Sequence, residues 1–331
     1  MEAAQSIFEP LSFQASDGYT LHGLVWRHPG GGNGKRWIVI INPATSVKCR
    51  YYARFADFLY AQGLDVLLYD YRGIGESRPA SIRKLKAGWL DWGRLDFEAA
   101  LQYTAQAFPG QPLGVIGHSV GGFLIGLAPS SHGIDRAFTV GAQFAYWRDY
   151  DPNKRTRMRL KWHLFMPAIT ALLGYFPGSW LGWLEDTPRG VVRDWVAPYR
   201  HFEDAWLKKP LSLSEDQIQQ RIAGFAAMRG DMLAVSLSDD EFGTPTAIRR
   251  LLYYFVNSYR THLHLTPESI GAENIGHFAF FHERFQPTLW QLALNWFQGG
   301  HIKAPAGSGV MTFEPGLSIL AGEGRGFPAR R

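Results

Sequence analysis

The sequence predicts an α/β fold with a mostly parallel sheet, and three observations lead to that prediction. Short apolar runs of strand length recur along the 331-residue chain, and stretches with helical spacing of apolar residues lie between them. The third observation is the strand-to-helix turn Gly-His-Ser-Val-Gly at 117–121, which follows an apolar run. Repeated strand-then-helix units favour a parallel sheet with helices packed on its faces.

The individual elements follow in order along the chain. Two antiparallel strands are predicted within 13–26, because Asp17 and Gly18 supply a turn between two apolar segments. Buried strands are predicted at the short apolar runs 37–41, 65–69, 113–116, 137–140, 232–237 and 261–266. Helices are predicted between some of them, at 51–61, with Gly63 after its end, and at 95–108.

A long insertion interrupts this alternation after the strand at 137–140. Residues 144–211 are rich in Trp, Pro and Arg and lack the strand pattern, so we expect a helical cap over the C-terminal edge of the sheet. The core domain is then expected to comprise 1–143 and 212–302. The tail 303–331 is rich in Gly, Pro and small residues, and we expect it to be loosely ordered or merely packed on the surface.

Composition limits the classes of function. The formal net charge of +5 is modest for this length, so nucleic-acid binding is not implied. Cys49 is the single cysteine, which excludes a disulfide within the chain, and no Cys/His cluster has metal-ligand spacing. The first residues lack a basic region followed by an apolar run, so we expect a cytoplasmic protein.

Ser119 is the predicted nucleophile. The glycines two residues before and after it, Gly117 and Gly121, leave room for a tight turn in which a side chain would crowd the backbone. Gly-x-Ser-x-Gly alone occurs by chance in many chains and also suits a structural turn. Here an apolar strand precedes it and a helix-like stretch at 123–127 follows, which is typical of a nucleophile elbow.

A serine nucleophile needs a base, and on this kind of sheet the base is expected later in the chain. His277 follows the strand at 261–266, so it belongs at the C-terminal ends of the strands, where ligands bind in open α/β sheets. Gly276 before it and Phe278 after it fit a loop that places an imidazole in a cleft. We therefore predict His277 as the general base, against the alternative of a surface-loop histidine.

The carboxylate that orients the base is predicted after the strand at 232–237. Asp239 and Asp240 are adjacent there, and only one of them can point at His277. Asp240 is favoured because it is followed by Glu241 and the apolar Phe242. Asp239 is left to cap a helix that begins near residue 246 or to hydrogen-bond the turn.

An oxyanion hole is the remaining requirement, and two backbone amides commonly form it. Val120, directly after the nucleophile, supplies the first amide. The second is expected in the loop 41–46, where Pro43 has no N–H to offer. Ala44 is the favoured donor, with Thr45 as the alternative.

Four segments together resemble the α/β-hydrolase superfamily, in particular its serine-aminopeptidase and monoacylglycerol-lipase-like branch. They are Asn-Pro-Ala-Thr at 42–45, Asp-Tyr-Arg-Gly-Ile-Gly-Glu-Ser at 70–77, Gly-His-Ser-Val-Gly-Gly at 117–122, and the segments around Asp240 and His277. The resemblance implies the α/β-hydrolase fold, with an eight-stranded, mostly parallel sheet and an inserted cap that sets the substrate. It also implies a Ser/His/Asp triad and no metal or organic cofactor. Many relatives have His-Gly where this chain has Asn42-Pro43.

The segment 70–77 invites comparison with a phosphate loop, because Gly73-Ile-Gly75 follows a strand. A phosphate loop would need a third glycine, a helix N-terminus or a Gly-Lys-Ser/Thr sequence, and the segment has none of them. The family resemblance implies a structural turn near the site instead.

The cap offers the best indication of the substrate. Residues 162–184 carry no charge if His163 is neutral, but prolines and glycines divide them into pieces too short to span a bilayer. We expect two short helices that pack on the sheet or also line an acyl pocket beneath Trp180 and Trp183. The basic stretch before them, 154–161, is expected to be a solvated helix face. Two alternatives for it are docking on anionic lipid and attraction of a negatively charged substrate.

The residues together favour a serine hydrolase that cleaves a carboxylic ester or thioester through an acyl-enzyme. We expect a small, apolar, acyl-bearing substrate; a membrane surface is not the favoured partner. An acyltransferase or a peptidase on the same triad, or a non-catalytic lipid- or protein-binding member of the fold, stays open. A peptidase would need an acidic residue for the free amino terminus, such as Glu185 or Asp186.

Overall fold

The computed structural model describes residues 7–30, 36–209 and 211–316. Its strands, in chain order, are β1 (Glu9–Gln14), β2 (Thr20–Trp26), β3 (Ile38–Asn42), β4 (Asp65–Tyr69), β5 (Leu113–His118), β6 (Arg136–Val140), β7 (Tyr175–Phe176), β8 (Thr187–Pro188), β9 (Asp231–Leu237), β10 (Arg260–Leu265) and β11 (Gly309–Phe313). All but β7 and β8 form one nine-stranded sheet, in the order β1-β2-β4-β3-β5-β6-β9-β10-β11.

The middle of this sheet is parallel. From β4 through β3, β5, β6 and β9 to β10, every neighbouring pair is parallel. The edges are antiparallel, with β2 on β4, β1 on β2 and β11 on β10. The predicted α/β fold with a mostly parallel sheet is thus confirmed.

The helices are α1 (Ala53–Ala61), α2 (Trp89–Asp91), α3 (Glu98–Ala107), α4 (Val120–Leu124), α5 (Arg155–Met158), α6 (Met166–Leu173), α7 (Arg189–Trp195), α8 (Glu215–Ala227), α9 (Pro245–Leu252) and α10 (Leu289–Gly299). Two π-helical segments, Trp92–Phe97 and Arg159–Phe165, run directly into α3 and α6. The helix predicted at 95–108 therefore begins as a π-helical turn.

Both faces of the sheet are covered, because alternate residues of its strands enter different cores. In β3, Ile38 and Ile40 pack with residues of α3, α8 and α9. Val39 and Ile41 pack on the opposite face with residues of α1 and α10. A parallel strand buried on both faces carries a continuous apolar run, which is why the sequence pattern located these strands.

The predicted cap segment, 144–211, contains α5, α6, α7 and the small ribbon of β7 and β8. Gly174 ends α6 in the left-handed conformation, with φ of 81°. Within 7–30, 36–209 and 211–316, no helix combines the length and the apolar character that crossing a bilayer requires.

The tail corrects one expectation, because it adds a strand and the sheet has nine strands rather than eight. β11 lies in that tail and pairs with β10, from Arg260 opposite Phe313 to His264 opposite Gly309. Arg260 also donates to the carbonyl of Glu314 at 2.8 Å. The strand covers an edge of β10 that would otherwise expose unpaired backbone groups. The rest of the predicted tail, 317–331, lies outside the described residues.

Candidate active site

Ser119 stands at a sharp turn between β5 and α4. Its backbone has φ of 54° and ψ of −122°, a conformation that costs free energy for a residue with a Cβ. Its N–H donates to the carbonyl of Val140 on the neighbouring strand at 2.9 Å, which holds the turn against the sheet. The strand, turn and helix predicted around Ser119 are therefore present.

The elbow glycines are required by close backbone contacts. A Cβ on Gly117 would lie 2.5 Å from the Cα of Gly122, and a Cβ on Gly121 would lie 2.2 Å from the carbonyl oxygen of Asn42. Gly121 thus lets the elbow approach the loop after β3 closely. The two predicted oxyanion segments meet at this contact.

Asp240 and His277 lie together at the C-terminal ends of β9 and β10. The Nδ1 of His277 lies 2.7 Å from Oδ2 of Asp240, and the carboxylate is fully buried. The other oxygen of Asp240 accepts the amides of Phe242 at 2.8 Å and Gly243 at 2.9 Å. Every hydrogen bond of this carboxylate favours its charged form.

Two glycines make room for the aspartate. A Cβ on Gly243 would lie 2.5 Å from Oδ2 of Asp240, and one on Gly141 would lie 2.8 Å from the same oxygen. Burial raises the pKa of Asp240, but the adjacent His277 and the amides of Gly243 and Phe242 outweigh it. The pKa of Asp240 is therefore below its usual range.

Asp239 has a different set of partners. Its Oδ2 accepts the amides of Ile275 at 2.7 Å and Gly276 at 2.9 Å, so it ties down the loop that carries His277. The expectation that it caps the next helix is wrong, because the Oγ1 of Thr244 accepts the amide of Ala247 there. The bonds of Asp239 also do not go to its own turn, which was the alternative, but to the separate loop that carries His277.

The amide of Ala44, the expected second oxyanion donor, is engaged within the structure. The N–H of Ala44 donates to the hydroxyl of Tyr52 at 2.9 Å. In the part of the chain that the structure describes, the N–H of Thr45 has no hydrogen-bond partner, nor does that of Val120. Of the two amides considered, that of Thr45 is thus the one without a partner among the described residues.

Tyr52 and His118 link this loop to the loop of His277. The Nε2 of His118 lies 2.8 Å from the carbonyl oxygen of His277, which only accepts, so Nε2 carries the proton. The Nδ1 of His118 therefore accepts from the Tyr52 hydroxyl at 2.7 Å. Burial lowers the pKa of His118 to about 3, which keeps the ring neutral in this chain of hydrogen bonds.

The segment 70–77 and Tyr69, the last residue of β4 before it, hydrogen-bond to the loop after β3 and to neighbouring backbone. The hydroxyl of Tyr69 donates to Oδ1 of Asn42 at 2.8 Å, and that of Tyr71 donates to the carbonyl of Pro43 at 3.2 Å. Asp70 accepts the amides of Cys49 at 2.7 Å and Glu76 at 3.0 Å. The segment is therefore a structural turn beside the site, as the resemblance implies.

One cavity joins the sheet edge to the cap. It has a volume of about 310 Å³ and contains Ser119 and His277 in its wall. Its lining residues are Ala44, Thr45, Trp89, Ser119, Val120, Gln143, Ala145, Lys161, Trp162, Gly182, Trp183, Leu184, Trp195, Glu241, Phe242, His277 and Phe278. The cap supplies much of its apolar surface. Trp183 lines it as expected, but Trp180 does not and is 82% exposed.

The basic stretch of the cap is only partly a solvated face. Arg157 pairs with Glu241 at 3.2 Å, and Lys154 lies 3.8 Å from the same carboxylate. Glu241 is thus an ion-paired residue at the cavity. Glu185 and Asp186 pair elsewhere, with Lys48 at 3.2 Å and Arg78 at 2.8 Å.

Gln143 is a residue of the site that the sequence analysis missed. Its Nε2 lies 3.5 Å from the Oγ of Ser119, and its Oε1 accepts the amide of Ala145. Ala145 has φ of 59°, so the loop after β6 bends sharply to aim this side chain at the nucleophile position. No sequence motif marks Gln143. Its position three residues after β6, at the same sheet edge as Ser119, was the available signal.

Metal ligands do not cluster in the described ranges 7–30, 36–209 and 211–316, where no group of three or more His, Cys, Asp or Glu is placed to hold an ion.

Comparison with known proteins agrees with this geometry. The profile of the family Serine aminopeptidase, S33 matches residues 33–211, which is more than half of the chain. The chain belongs to this family. The resemblance to α/β-hydrolases of the serine-aminopeptidase and monoacylglycerol-lipase-like branch is therefore confirmed.

Solved structures of the same fold are distant in sequence. A soluble variant of monoglyceride lipase from Saccharomyces cerevisiae is 15% identical, with a TM-score of 0.60 over 92% of this chain and 98% of that one. The Pyrococcus furiosus esterase Pf2001 is 13% identical, with a TM-score of 0.54 over 88% of this chain and 90% of that one. These similarities show the α/β-hydrolase fold.

A curated relative matches locally. The polyketide transferase claH of Penicillium crustosum is 38% identical over 71 residues, which is 21% of this chain. The chain spans 23% of the length of that relative.

Proposed function

We propose that the protein is a serine hydrolase that cleaves carboxylic esters or thioesters through an acyl-enzyme. The observation that carries the proposal is the buried pair of Asp240 and His277, 2.7 Å apart, in the same cavity as the strained elbow residue Ser119. Membership of an α/β-hydrolase family supports it. The site residues are assigned from geometry and chemistry, and their roles form part of the proposal.

The proposed reaction has two halves. Ser119 attacks the acyl carbonyl while Nε2 of His277 takes the hydroxyl proton and then gives it to the leaving group. Asp240 holds Nδ1–H of His277 and stabilises the imidazolium that forms. Water, activated by the same histidine, then releases the acid from Ser119.

Two backbone amides are proposed to stabilise the tetrahedral intermediate. They are those of Val120 and Thr45, which both lie at the cavity. Preorganised amides at a developing oxyanion lower the barrier by a few kcal/mol, because they need no reorganisation during the reaction. The close contact of Gly121 with Asn42 supports this assignment, since it fixes the two loops relative to each other.

The cavity supports a small substrate with an apolar acyl group. Four tryptophans line it, together with Leu184, Phe242 and Phe278. Aromatic walls around a few polar groups are typical of small-molecule sites. The expected cytoplasmic location stays a prediction.

A peptidase is the less favoured reading of the same triad. The two acids considered for an amino terminus, Glu185 and Asp186, do not line the cavity and are ion-paired. Acyl transfer to an acceptor other than water is the second candidate, and the local match to a polyketide transferase favours it. Product analysis with an added alcohol separates transfer from hydrolysis.

Steady-state hydrolysis of para-nitrophenyl butyrate tests the proposal. Wild-type protein is expected to turn over the ester, and Ser119→Ala and His277→Ala are each expected to lower kcat/KM by at least about 10³-fold. The matched control is Ser81→Ala, an exposed serine away from the cavity, which should leave the rate unchanged. Equal rates for Ser119→Ala and wild type would refute the assignment of Ser119.

A further inference from the structure

Lys161 is a charged residue in the otherwise aromatic part of the cavity wall. It belongs to the π-helical segment Arg159–Phe165 of the cap. Its ammonium nitrogen lies 4.4 Å from the ring centre of Trp162 and 3.9 Å from that of Trp183. Two indole faces therefore hold the charge in position, and all three residues line the cavity.

No carboxylate of the described chain lies within ion-pair distance of the Lys161 ammonium. Glu241 also lines the cavity, but its partners are Arg157 at 3.2 Å and Lys154 at 3.8 Å. Burial lowers the pKa of Lys161, attraction by Glu241 opposes that effect, and Arg157 adds to it. The ammonium is thus partly desolvated without a direct counter-ion.

Indole rings alone do not satisfy the hydrogen-bonding capacity of an ammonium group. Their faces attract the charge, but they offer no lone-pair acceptor for its three N–H donors. The Lys161 ammonium donates no hydrogen bond to any of the described residues. A partly buried cation of this kind gains most from an anion that enters the cavity.

We propose that Lys161 is a specificity-determining residue that binds a carboxylate on the acyl chain of the substrate. The preferred substrates are then half esters or half thioesters of dicarboxylic acids, with the scissile carbonyl at Ser119 and the second carboxylate at Lys161. This inference rests on the proposed hydrolase function, whose substrate class it names.

The charges of the cavity favour a monoanion. Among the described residues of the wall, Lys161 is the one cation without an ion-pair partner, and the wall also carries Glu241, which would repel a doubly charged phosphate. Phosphate sites commonly combine several donors, such as an arginine fork or a helix N-terminus. A single lysine matches one carboxylate, and the methylene chain between the two carbonyl groups matches the aromatic walls.

The test compares two para-nitrophenyl esters of the same length. One is the half ester of adipic acid, which ends in a carboxylate, and the other is its methyl ester, which is neutral. The corresponding pairs of succinate and suberate esters test a shorter and a longer methylene chain between the two carbonyl groups. Wild type is expected to favour the carboxylate member of the best pair. Lys161→Met is expected to lower kcat/KM for that substrate by about tenfold or more and to change the neutral ester less than about threefold.

Arg159→Met is the matched control. Arg159 is also a cap cation over an indole, 4.5 Å from the Trp147 ring centre, but neither residue lines the cavity. This variant should keep the wild-type preference. Equal losses on both esters in Lys161→Met would overturn the inference, and so would the same selective loss in Arg159→Met. A Lys161-dependent preference for a phosphate-bearing ester would overturn the choice of carboxylate.

A binding measurement separates this inference from the proposed function. Ser119→Ala protein is titrated with the adipate methyl half ester, and the fluorescence of Trp162 and Trp183 beside Lys161 reports occupancy. We expect saturable binding that Lys161→Met weakens by about tenfold. Binding without ester hydrolysis by wild type would refute the hydrolase while supporting the carboxylate site. Hydrolysis with no Lys161-dependent binding would refute the carboxylate site alone.

Discussion

The two adjacent aspartates after β9 differ in the partners of their carboxylates. Asp240 contacts the imidazole of His277, whereas Asp239 contacts two amides of the loop that carries it. Asp240 would stabilise the charged form of His277, whereas Asp239 would fix the position of the loop that carries it. Their substitution therefore has different expected consequences.

Asp240→Asn is expected to lower kcat for ester hydrolysis by about 10⁴-fold, because an amide cannot stabilise the imidazolium of His277. Asp239→Asn is expected to lower it by about tenfold, because one oxygen remains to accept the amides of Ile275 and Gly276. Kinetics with para-nitrophenyl butyrate measure both. The reverse order of the two effects would exchange the roles of the aspartates.

Tyr52→Phe is expected to lower the free energy of unfolding by about 2–4 kcal/mol, because it leaves the Ala44 N–H and the Nδ1 of His118 buried and without their partner. Urea titration followed by circular dichroism measures the change. Tyr51→Phe is the matched control, since its hydroxyl donates a single exposed hydrogen bond to the carbonyl of Phe278. The control is expected to cost less than about 1 kcal/mol. Equal losses in the free energy of unfolding for the two variants would show that the buried hydrogen bonds of Tyr52 add no stability beyond that of an exposed one.

Single residues were easiest to predict from the sequence where a motif fixes their position relative to a strand or a turn. Ser119 and Asp240 could be proposed from the sequence because each follows the end of a strand, and Ser119 also lies between two glycines. The choice between Ala44 and Thr45 could not be made that way, since it depends on the hydroxyl of Tyr52, the residue directly before α1, which accepts the Ala44 amide. Gln143 carries no local motif at all.

At the scale of elements, the site depends on the contact between the elbow and the loop after β3. Gly121 packs on the carbonyl of Asn42, and the Nδ2 of Asn42 donates to the carbonyl of Gly121 at 3.2 Å. The two elements are thereby held in one relative position. Any side chain at 121 would separate them.

Gly121→Ala is expected to lower the free energy of unfolding by about 2 kcal/mol or more. The new Cβ would lie 2.2 Å from the carbonyl oxygen of Asn42, and relieving that clash requires the backbone to shift. The substitution is also expected to lower kcat by displacing the Val120 amide. Gly133→Ala is the control, because nothing lies within 4 Å of its Cβ position. Thermal unfolding and kinetics of both variants provide the comparison. Similar stability and kcat for Gly121→Ala and Gly133→Ala would mean that the loop after β3 accommodates a Cβ at position 121.

Strands were predictable where both faces are buried, as the match of 65–69 with β4 illustrates. β11 was missed because Gly and Pro precede it and because four of its five residues are exposed, which removes the apolar signal. The π-helical start of the helix before β5 was also not visible in the sequence. Trp92 and Asp96, both buried, lie within this segment.

At the scale of the whole molecule, buried neutral histidines couple stability to pH. Burial lowers the pKa of His118 to about 3 and those of His163 and His262 to about 4, from 6.5. Their stabilising contribution is present above pH 6.5 and is lost as the pH falls towards the folded values, because the unfolded chain binds the protons first. Asp96 and Asp194, whose pKa values burial raises to about 7 and about 6, act in the opposite direction.

His262→Gln isolates one of these contributions away from the cavity. The free energy of unfolding of wild type relative to this variant is expected to fall by about 2 kcal/mol between pH 7 and pH 5. Glutamine can keep a hydrogen bond to the hydroxyl of Ser236, which lies 2.7 Å from Nε2 of His262. Guanidinium titrations at the two pH values measure the difference. A difference independent of pH would mean that His262 is protonated equally in the folded and unfolded chains.

The cavity is a property of the whole molecule, and the sequence predicted it least completely. Its wall combines residues from Ala44 to Phe278, and much of it comes from the cap. Apolar composition predicted that the cap could line a pocket, but not that Trp183 would face inwards while Trp180 faces solvent. Composition also did not show which basic residues of the cap pair with Glu241 and that Lys161 is not one of them.

The most direct test of the account is labelling with a small fluorophosphonate followed by intact-mass measurement, because this reagent reacts with an activated serine and requires no knowledge of the substrate. Wild type is expected to gain one adduct on Ser119, whereas Ser119→Ala gains none and Asp240→Asn reacts much more slowly. Absence of an adduct on wild type, or equal labelling of Ser119→Ala, would contradict the assignment of Ser119 as an activated nucleophile.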